Sequence, residues 1–140
     1  MNREIIFRGM RCSLQYEGQE PWVYGYYIES HHSWHGHKPH KSWITPSARS
    51  NGGWFALQGA IPVQDETVGQ YTGLKDKNGK KIFEGDVMLF HGREYFAVWD
   101  EEEAKFVFTN KTNNRLNPYK STSEECFEVI GNIHEQNYQL

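Results

Sequence analysis

The sequence predicts a mainly β protein with little helix, and three observations carry that expectation. Short apolar and aromatic runs of about four to eight residues recur at close spacing, which is strand length. Gly-, Asn- and Pro-bearing turns separate them, and no segment sustains a capped 3.6-residue period. The hydrophobic fraction is only 37%, but Phe, Tyr and Trp make up 15% of the 140 residues. Each such ring buries some 150–250 Å², so the aromatics supply core area that Leu, Ile and Val do not. A chain of this length buries about two-thirds of its unfolded surface, enough for one compact domain or two small subdomains.

In chain order, Glu4 to Arg8 is a short first strand and Glu17 to Glu20 a Gly-containing turn. Pro21 opens the clear strand Trp22 to Ile28. His31 to His40 is polar, punctuated by Gly and Pro and rich in histidine, hence an exposed loop. Lys41 to Thr45 is a short strand, Pro46 to Gly53 a loop, and Trp54 to Leu57 and Ile61 to Val63 are short extended pieces. Val68 to Thr72 has the β-branched and aromatic weighting of a strand. Gly73 to Lys81 is a polar turn centred on Asn78-Gly79, a pair that tolerates positive φ. Val87 to Phe90 and Glu94 to Trp99 flank His91-Gly92 as a second hairpin. Asp100 to Glu103 is acidic enough for either a solvated turn or one short helical turn, Phe106 to Phe108 is a strand, Asn110 to Glu125 a long surface loop, and Cys126 to His134 the last strand. The Phe83 to Phe108 meander has the size of an SH3-like barrel that the last strand would close. The expected organisation is residues 1–64 as an N-terminal β region with the histidine-rich loop and 65–140 as the C-terminal SH3-like β-barrel region, together one compact unit.

The stretch Thr67 to Asp86, TVGQYTGLKDKNGKKIFEGD, stands with three flanking pieces: Phe7-Arg8-Gly9, Trp22-Val23-Tyr24-Gly25-Tyr26, and Val129-Ile130-Gly131-Asn132-Ile133-His134-Glu135. In this order they resemble the YopX family of phage and prophage proteins. The resemblance covers both ends of the chain and is weakest from Ser30 to Ala60. It implies a small, mainly β, phage-encoded protein, and it supplies no catalytic residue to carry over.

A net charge near −3 gives no global pull toward phosphate backbones or anionic membranes. The N-terminus lacks the apolar core of a signal peptide, and no apolar run approaches the roughly 20 residues of a membrane span. The expected location is the bacterial host cytoplasm. There Cys12 and Cys126 stay reduced, and without a CxxC spacing they read as small packing residues.

Five histidines, His31, His32, His35, His37 and His40, crowd into ten residues and form the candidate metal cluster. Neutral imidazole ligates zinc, nickel or copper, and His35 and His37 share a side of an extended loop. No carboxylate or thiol lies within the cluster, so adventitious capture is favoured over a resident ion and no cofactor is expected. The same region offers a second use. Trp34, Trp43 and Trp54 interleave with Lys38, Lys41 and Arg49, as in proteins that stack bases and meet phosphates. The plain alternative makes the tryptophans core anchors.

Other patterns fail on inspection. Gly73 and Gly79 are one residue too far apart for a P-loop, and Lys81 follows Lys80 where Ser or Thr is needed. Tyr138 stands where a zinc-protease string beginning at His134-Glu135 needs its second histidine. Asp65, Glu66, Asp76, Glu84 and Asp86 are explained by turn chemistry. The expectation is therefore a non-enzymatic binding or adaptor module whose partner is a host or phage protein. Gln70, Tyr71, Thr72, Lys75, Asp76, Trp34 and Trp43 are its candidate binding residues. Open sheet edges add a homo-oligomer to the expected assemblies, and nucleic acid is the runner-up partner.

Overall fold

A computed structural model describes residues 4–30, 41–46, 59–112, 114–119 and 126–135. The histidine-rich loop and the expected strand Trp54 to Leu57 lie outside them. The chain divides into two compact units, residues 5–70 and residues 71–140 with 1–4. The division falls inside a strand, between Gln70 and Tyr71. All strand pairs are antiparallel, and the only helical element among the described residues is one 3-10 turn, Asp65–Thr67.

In the N-terminal unit, β1 (Phe7–Met10), β2 (Trp22–Glu29), β3 (Ser42–Thr45) and β4 (Ile61–Pro62) pair in the order β4-β3-β2-β1. The start of β5 (Gly69–Lys75) lies against β1, with Phe7 opposite Gln70. Successive side chains of a strand point to opposite faces, so the register sorts the residues. Gly9 faces Val23 across the first ladder and Tyr27 faces Ile44 across the next. That face packs the small core of Val23, Ile44 and Val63, with Phe7, Ile61 and Val68 against it. The other face carries Arg8, Trp22, Tyr24, Tyr26, Ile28 and Trp43. Gly25 lets β3 approach β2, because a Cβ there would lie 2.1 Å from the Thr45 carbonyl oxygen. The Thr67 hydroxyl pins the 3-10 turn to β1: it accepts the Met10 N–H at 2.8 Å and donates to the Gln64 carbonyl at 2.7 Å.

From Tyr71 onward β5 belongs to the C-terminal unit and pairs with β6 (Lys81–Phe83). The expected strand ended at Thr72, but β5 runs to Lys75 through a register shift where Gly73 takes φ 90°. Glycine carries that conformation at little cost, so the strand bends and continues. The turn is correspondingly shorter. Gly79 alone takes a left-handed φ, 78°, and its N–H donates to the Asp76 carbonyl at 3.0 Å. Asn78 is not left-handed, so the hairpin closes through a type I turn with a glycine bulge rather than a mirror-image turn. The mirror-image form occurs at His91-Gly92, with φ 49° and 76°, between β7 (Asp86–Phe90) and β8 (Arg93–Asp100).

β9 (Lys105–Thr109), β10 (Arg115–Leu116) and β11 (Glu128–Asn132) complete a five-stranded sheet in the order β10-β9-β8-β7-β11. One face packs Met88, Tyr95, Ala97 and Phe108 with Leu74, Ile82 and Phe127. The Phe127 ring stacks on Phe90 at 4.4 Å and meets Phe108 edge-on at 4.9 Å. The expected closed SH3-like barrel is not found among the described residues. β10 and β11 are the two ends of the ladder, and β11 pairs with β7. The physical reason lies at both ends. β10 has two residues, and the nearby Pro118 cannot donate to a ladder. On β11 the Val129 N–H goes to the Asp76 carboxylate at 3.0 Å.

That carboxylate is the staple of the unit. Asp76 Oδ1 accepts the Asn78 and Lys80 N–H groups, both at 2.9 Å, while Oδ2 reaches Val129, 53 residues away in sequence. Replacing Asp76 with Ala strips the acceptor from three backbone donors, and an unmet buried donor costs roughly 1–3 kcal/mol. Asp76→Ala is expected to lose about 3 kcal/mol in urea unfolding, and Asp76→Asn, which keeps one carbonyl oxygen, less. Equal losses for the two variants would show that the charge, rather than the pair of acceptors, matters.

Candidate functional site

The candidate binding residues of the central stretch are drawn mostly into the fold. Tyr71 is buried, its ring 5.6 Å from Phe83, with the Lys81 ammonium 5.5 Å from its centroid. The buried Thr72 hydroxyl donates to the Ile82 carbonyl at 2.8 Å and accepts the Leu74 N–H at 3.2 Å. The Thr72 carbonyl accepts the Tyr119 hydroxyl at 2.8 Å. Asp76 is buried under its three donors. Gln70 is half-buried, and of the five only Lys75 is exposed. The polar and aromatic richness that marks this stretch therefore serves hydrogen bonds and ring packing within it.

The neighbouring carboxylates are also accounted for locally. Asp86 is buried and Oδ2 accepts the Phe83 N–H at 2.8 Å, closing the Glu84-Gly85 turn. Asp65 and Glu66 are exposed in the first turn of the 3-10 segment. Near them, burial pushes the Cys12 thiol above its ordinary pKa, and the charges of Asp65 and Glu66 push the same way. A thiol held protonated is a poor nucleophile and a poor metal ligand at neutral pH. Among the described residues no three His, Cys, Asp or Glu side chains stand where they could hold a metal ion. His31, His32, His35, His37, His40, Trp34 and Trp54 lie outside those residues. No described helix is long and apolar enough to cross a membrane.

What the fold does present is aromatic surface. On the second face of the N-terminal sheet, Tyr24 and Tyr26 are 46% and 48% exposed, although they alternate with Val23 at 4%. Trp22 precedes them on the same face of β2, and Trp43 stands on the neighbouring strand opposite Ile28. Trp43 is half-buried and is the one sequence-selected tryptophan that the described residues place on this face. The Arg8 guanidinium lies 4.6 Å from the Trp22 ring centroid and is itself buried. Lys41, just before β3, is paired with Glu29 at 3.3 Å, and that carboxylate holds the ammonium above its usual pKa. The sequence reading passed over Trp22, Tyr24 and Tyr26. Their two-residue alternation was visible, but Tyr27 is aromatic too, and only the ladder shows that Tyr27 turns inward toward Phe7, ring to ring at 5.5 Å.

A second exposed ring, Trp99, stands in the C-terminal unit beside a shallow open groove. Its indole meets Phe106 edge-on at 4.9 Å. Alongside, the Asp100 carboxylate is bonded to Arg115 and accepts the Glu102 N–H at 2.9 Å. Arg115 and those amides hold Asp100 below its ordinary pKa, partly opposed by desolvation.

A family model described as YopX protein matches residues 10–140. No curated protein matches the chain.

Because folding lowers the Asp100 pKa, the stabilisation is complete above the reference value of 3.8 and is lost as pH falls through the folded value. In urea unfolding, the stability gap between the wild type and Asp100→Asn is expected to be constant near neutrality and to narrow below about pH 4. A gap that persists unchanged into acid would mean that the pair contributes nothing through charge.

Proposed function

The chain belongs to the YopX family, and we propose that it is a non-enzymatic binding or adaptor module of phage or prophage origin, acting in the bacterial host cytoplasm. The observation that carries this reading is the ring surface of Tyr24 and Tyr26 on a sheet whose other face already packs a core. Large aromatics held rigidly on a sheet offer contact area at low entropic cost, and Tyr, Trp and Arg dominate the energetics of binding surfaces. Turnover of a substrate has less support. The described carboxylates of the central stretch are engaged with backbone amides or stand in solvated turns, and the Cys12 thiol is pushed toward its protonated form.

Edge pairing between copies has little room at two of the described sheet ends, β4 and β10, while the five-residue β11 ends the second sheet on its other side. β4 is two residues long and ends at Pro62, and β10 is also two residues long. Short edges with proline block strand addition. A partner held through side chains is the better-supported mode.

The test is capture from infected or lysogenic host lysate with the full chain and with a Tyr24→Ala, Tyr26→Ala double variant. Both tyrosines are half-exposed, so the variant is expected to stay folded and to lose the stoichiometric species that the wild type retains. Capture of the same species by both proteins would overturn the assignment of this face.

A further inference from the structure

We propose that Asn78-Gly79 is a site of spontaneous modification, deamidation of Asn78 through a cyclic imide, and that the Asp76 carboxylate gates it. Asparagine followed by glycine is the pair most disposed to this reaction, because a residue without a Cβ leaves its nitrogen open to approach. The Gly79 nitrogen gives up its proton and bonds to the Asn78 side-chain carbonyl carbon, and the bond from that carbon to Nδ2 breaks. Nδ2 takes up a proton and departs as ammonia. Water then opens the imide at either carbonyl and leaves aspartate or isoaspartate, with no oxidant or cofactor required. Nothing in this chemistry depends on what the protein binds.

The turn leaves the carbon under attack free and holds the attacking nitrogen. Both residues are exposed, and a Cβ built on Gly79 would meet nothing within 4 Å, so water reaches the pair. Among the described residues no hydrogen bond engages the Asn78 side-chain amide. The Gly79 N–H, by contrast, donates to the Asp76 carbonyl at 3.0 Å, which opposes both the loss of its proton and its rotation toward the Asn78 side chain. Further bonds fix the peptides on either side. Asp76 Oδ1 accepts the Asn78 and Lys80 N–H groups, both at 2.9 Å, and the Asp76 N–H donates to the Lys80 carbonyl at 2.8 Å. Steric cover is absent and the hydrogen bonds alone protect, so the reaction proceeds from the opened turn, at a rate set by how often the turn opens. Isoaspartate routes the chain through the former side chain and adds a methylene to the backbone. Either product also sets a new carboxylate near the buried one of Asp76. The lengthened turn no longer brings the Gly79 and Lys80 N–H groups to Asp76, so an opening is recorded in a form that does not close again.

The experiment incubates the full chain in mildly alkaline buffer and follows Asn78 by peptide mapping with mass spectrometry and an isoaspartate assay. The folded wild type is expected to react at least about tenfold more slowly than the same chain unfolded in urea. Asp76→Ala should raise the folded rate about tenfold or more, since three backbone donors lose their acceptor. Phe108→Leu weakens the core of the same unit and keeps the carboxylate. It should raise the rate far less when the two variants are compared at equal unfolding free energy, set with urea. Aged chain rich in isoaspartate should unfold at lower urea than Asn78→Asp, which adds the charge without the extra methylene. Equal rates in folded and unfolded wild type would overturn the protection. Equal acceleration by Asp76→Ala and Phe108→Leu would show that global unfolding, and not the Asp76 turn, is the gate. An aged chain as stable as Asn78→Asp would overturn the one-way step.

Discussion

Three backbone N–H groups from two distant parts of the C-terminal unit converge on the side chain of Asp76. Two of them shape the turn that lets β5 become β6, and the third brings in β11. The backbone adds to the same junction, with the Lys77 N–H donating to the Phe127 carbonyl at 2.9 Å. That bond helps seat Phe127, the ring about which Phe90, Tyr95 and Phe108 are grouped. A carboxylate is suited to this place because it is acceptor-only and offers two oxygens to several donors, which no neutral side chain of its size can match. The turn, the end of the ladder and the centre of the core are thus held by one residue.

A second junction of the same kind lies at Glu84-Gly85. Gly85 takes φ 91°, its N–H donates to the Ala97 carbonyl at 2.8 Å, and its own carbonyl accepts the Ile133 N–H at 2.9 Å. Asp86 closes the turn from the other side. Both junctions lie in the stretch that carries the family resemblance, and both are turns that combine an aspartate carboxylate with a positive-φ glycine. The signature therefore marks the points where the chain must change direction and bind a distant strand.

The N-terminal unit distributes its side chains differently. Its core is small, and close approaches at Gly9 and Gly25 are what allow the strands to pack around it. The large rings are then surplus to the interior of the sheet, and the register places them on the opposite face. Aromatic side chains that are not needed for the core but are held on a rigid ladder are the usual raw material of recognition. The candidate site consequently sits on a regular sheet surface rather than in a cleft or a loop.

Much of this was legible in the residues. Period-two runs between Gly turns announced the strands at Trp22, Ile61, Val87, Glu94 and Phe106, because alternation and turn chemistry are local and need no knowledge of neighbours. Local pattern also anticipated the hairpin at His91-Gly92. It did not show that β5 continues past Gly73, that Arg115-Leu116 forms a strand within an apparent loop, or that β11 pairs with β7 and leaves the ladder open. Nor did it show which side chains of the candidate stretch are buried, for the same reason. Gln70 to Asp76 looks like a displayed motif until its partners at Ile82, Tyr119 and Val129 are known, and Trp22, Tyr24 and Tyr26 look like core until the register turns Val23 and Tyr27 inward. Strand content and turn positions follow from each residue's own backbone preferences, so the sequence alone determined them. Which side chains are consumed and which are offered depends on contacts up to 53 residues apart, and only the tertiary structure decides that.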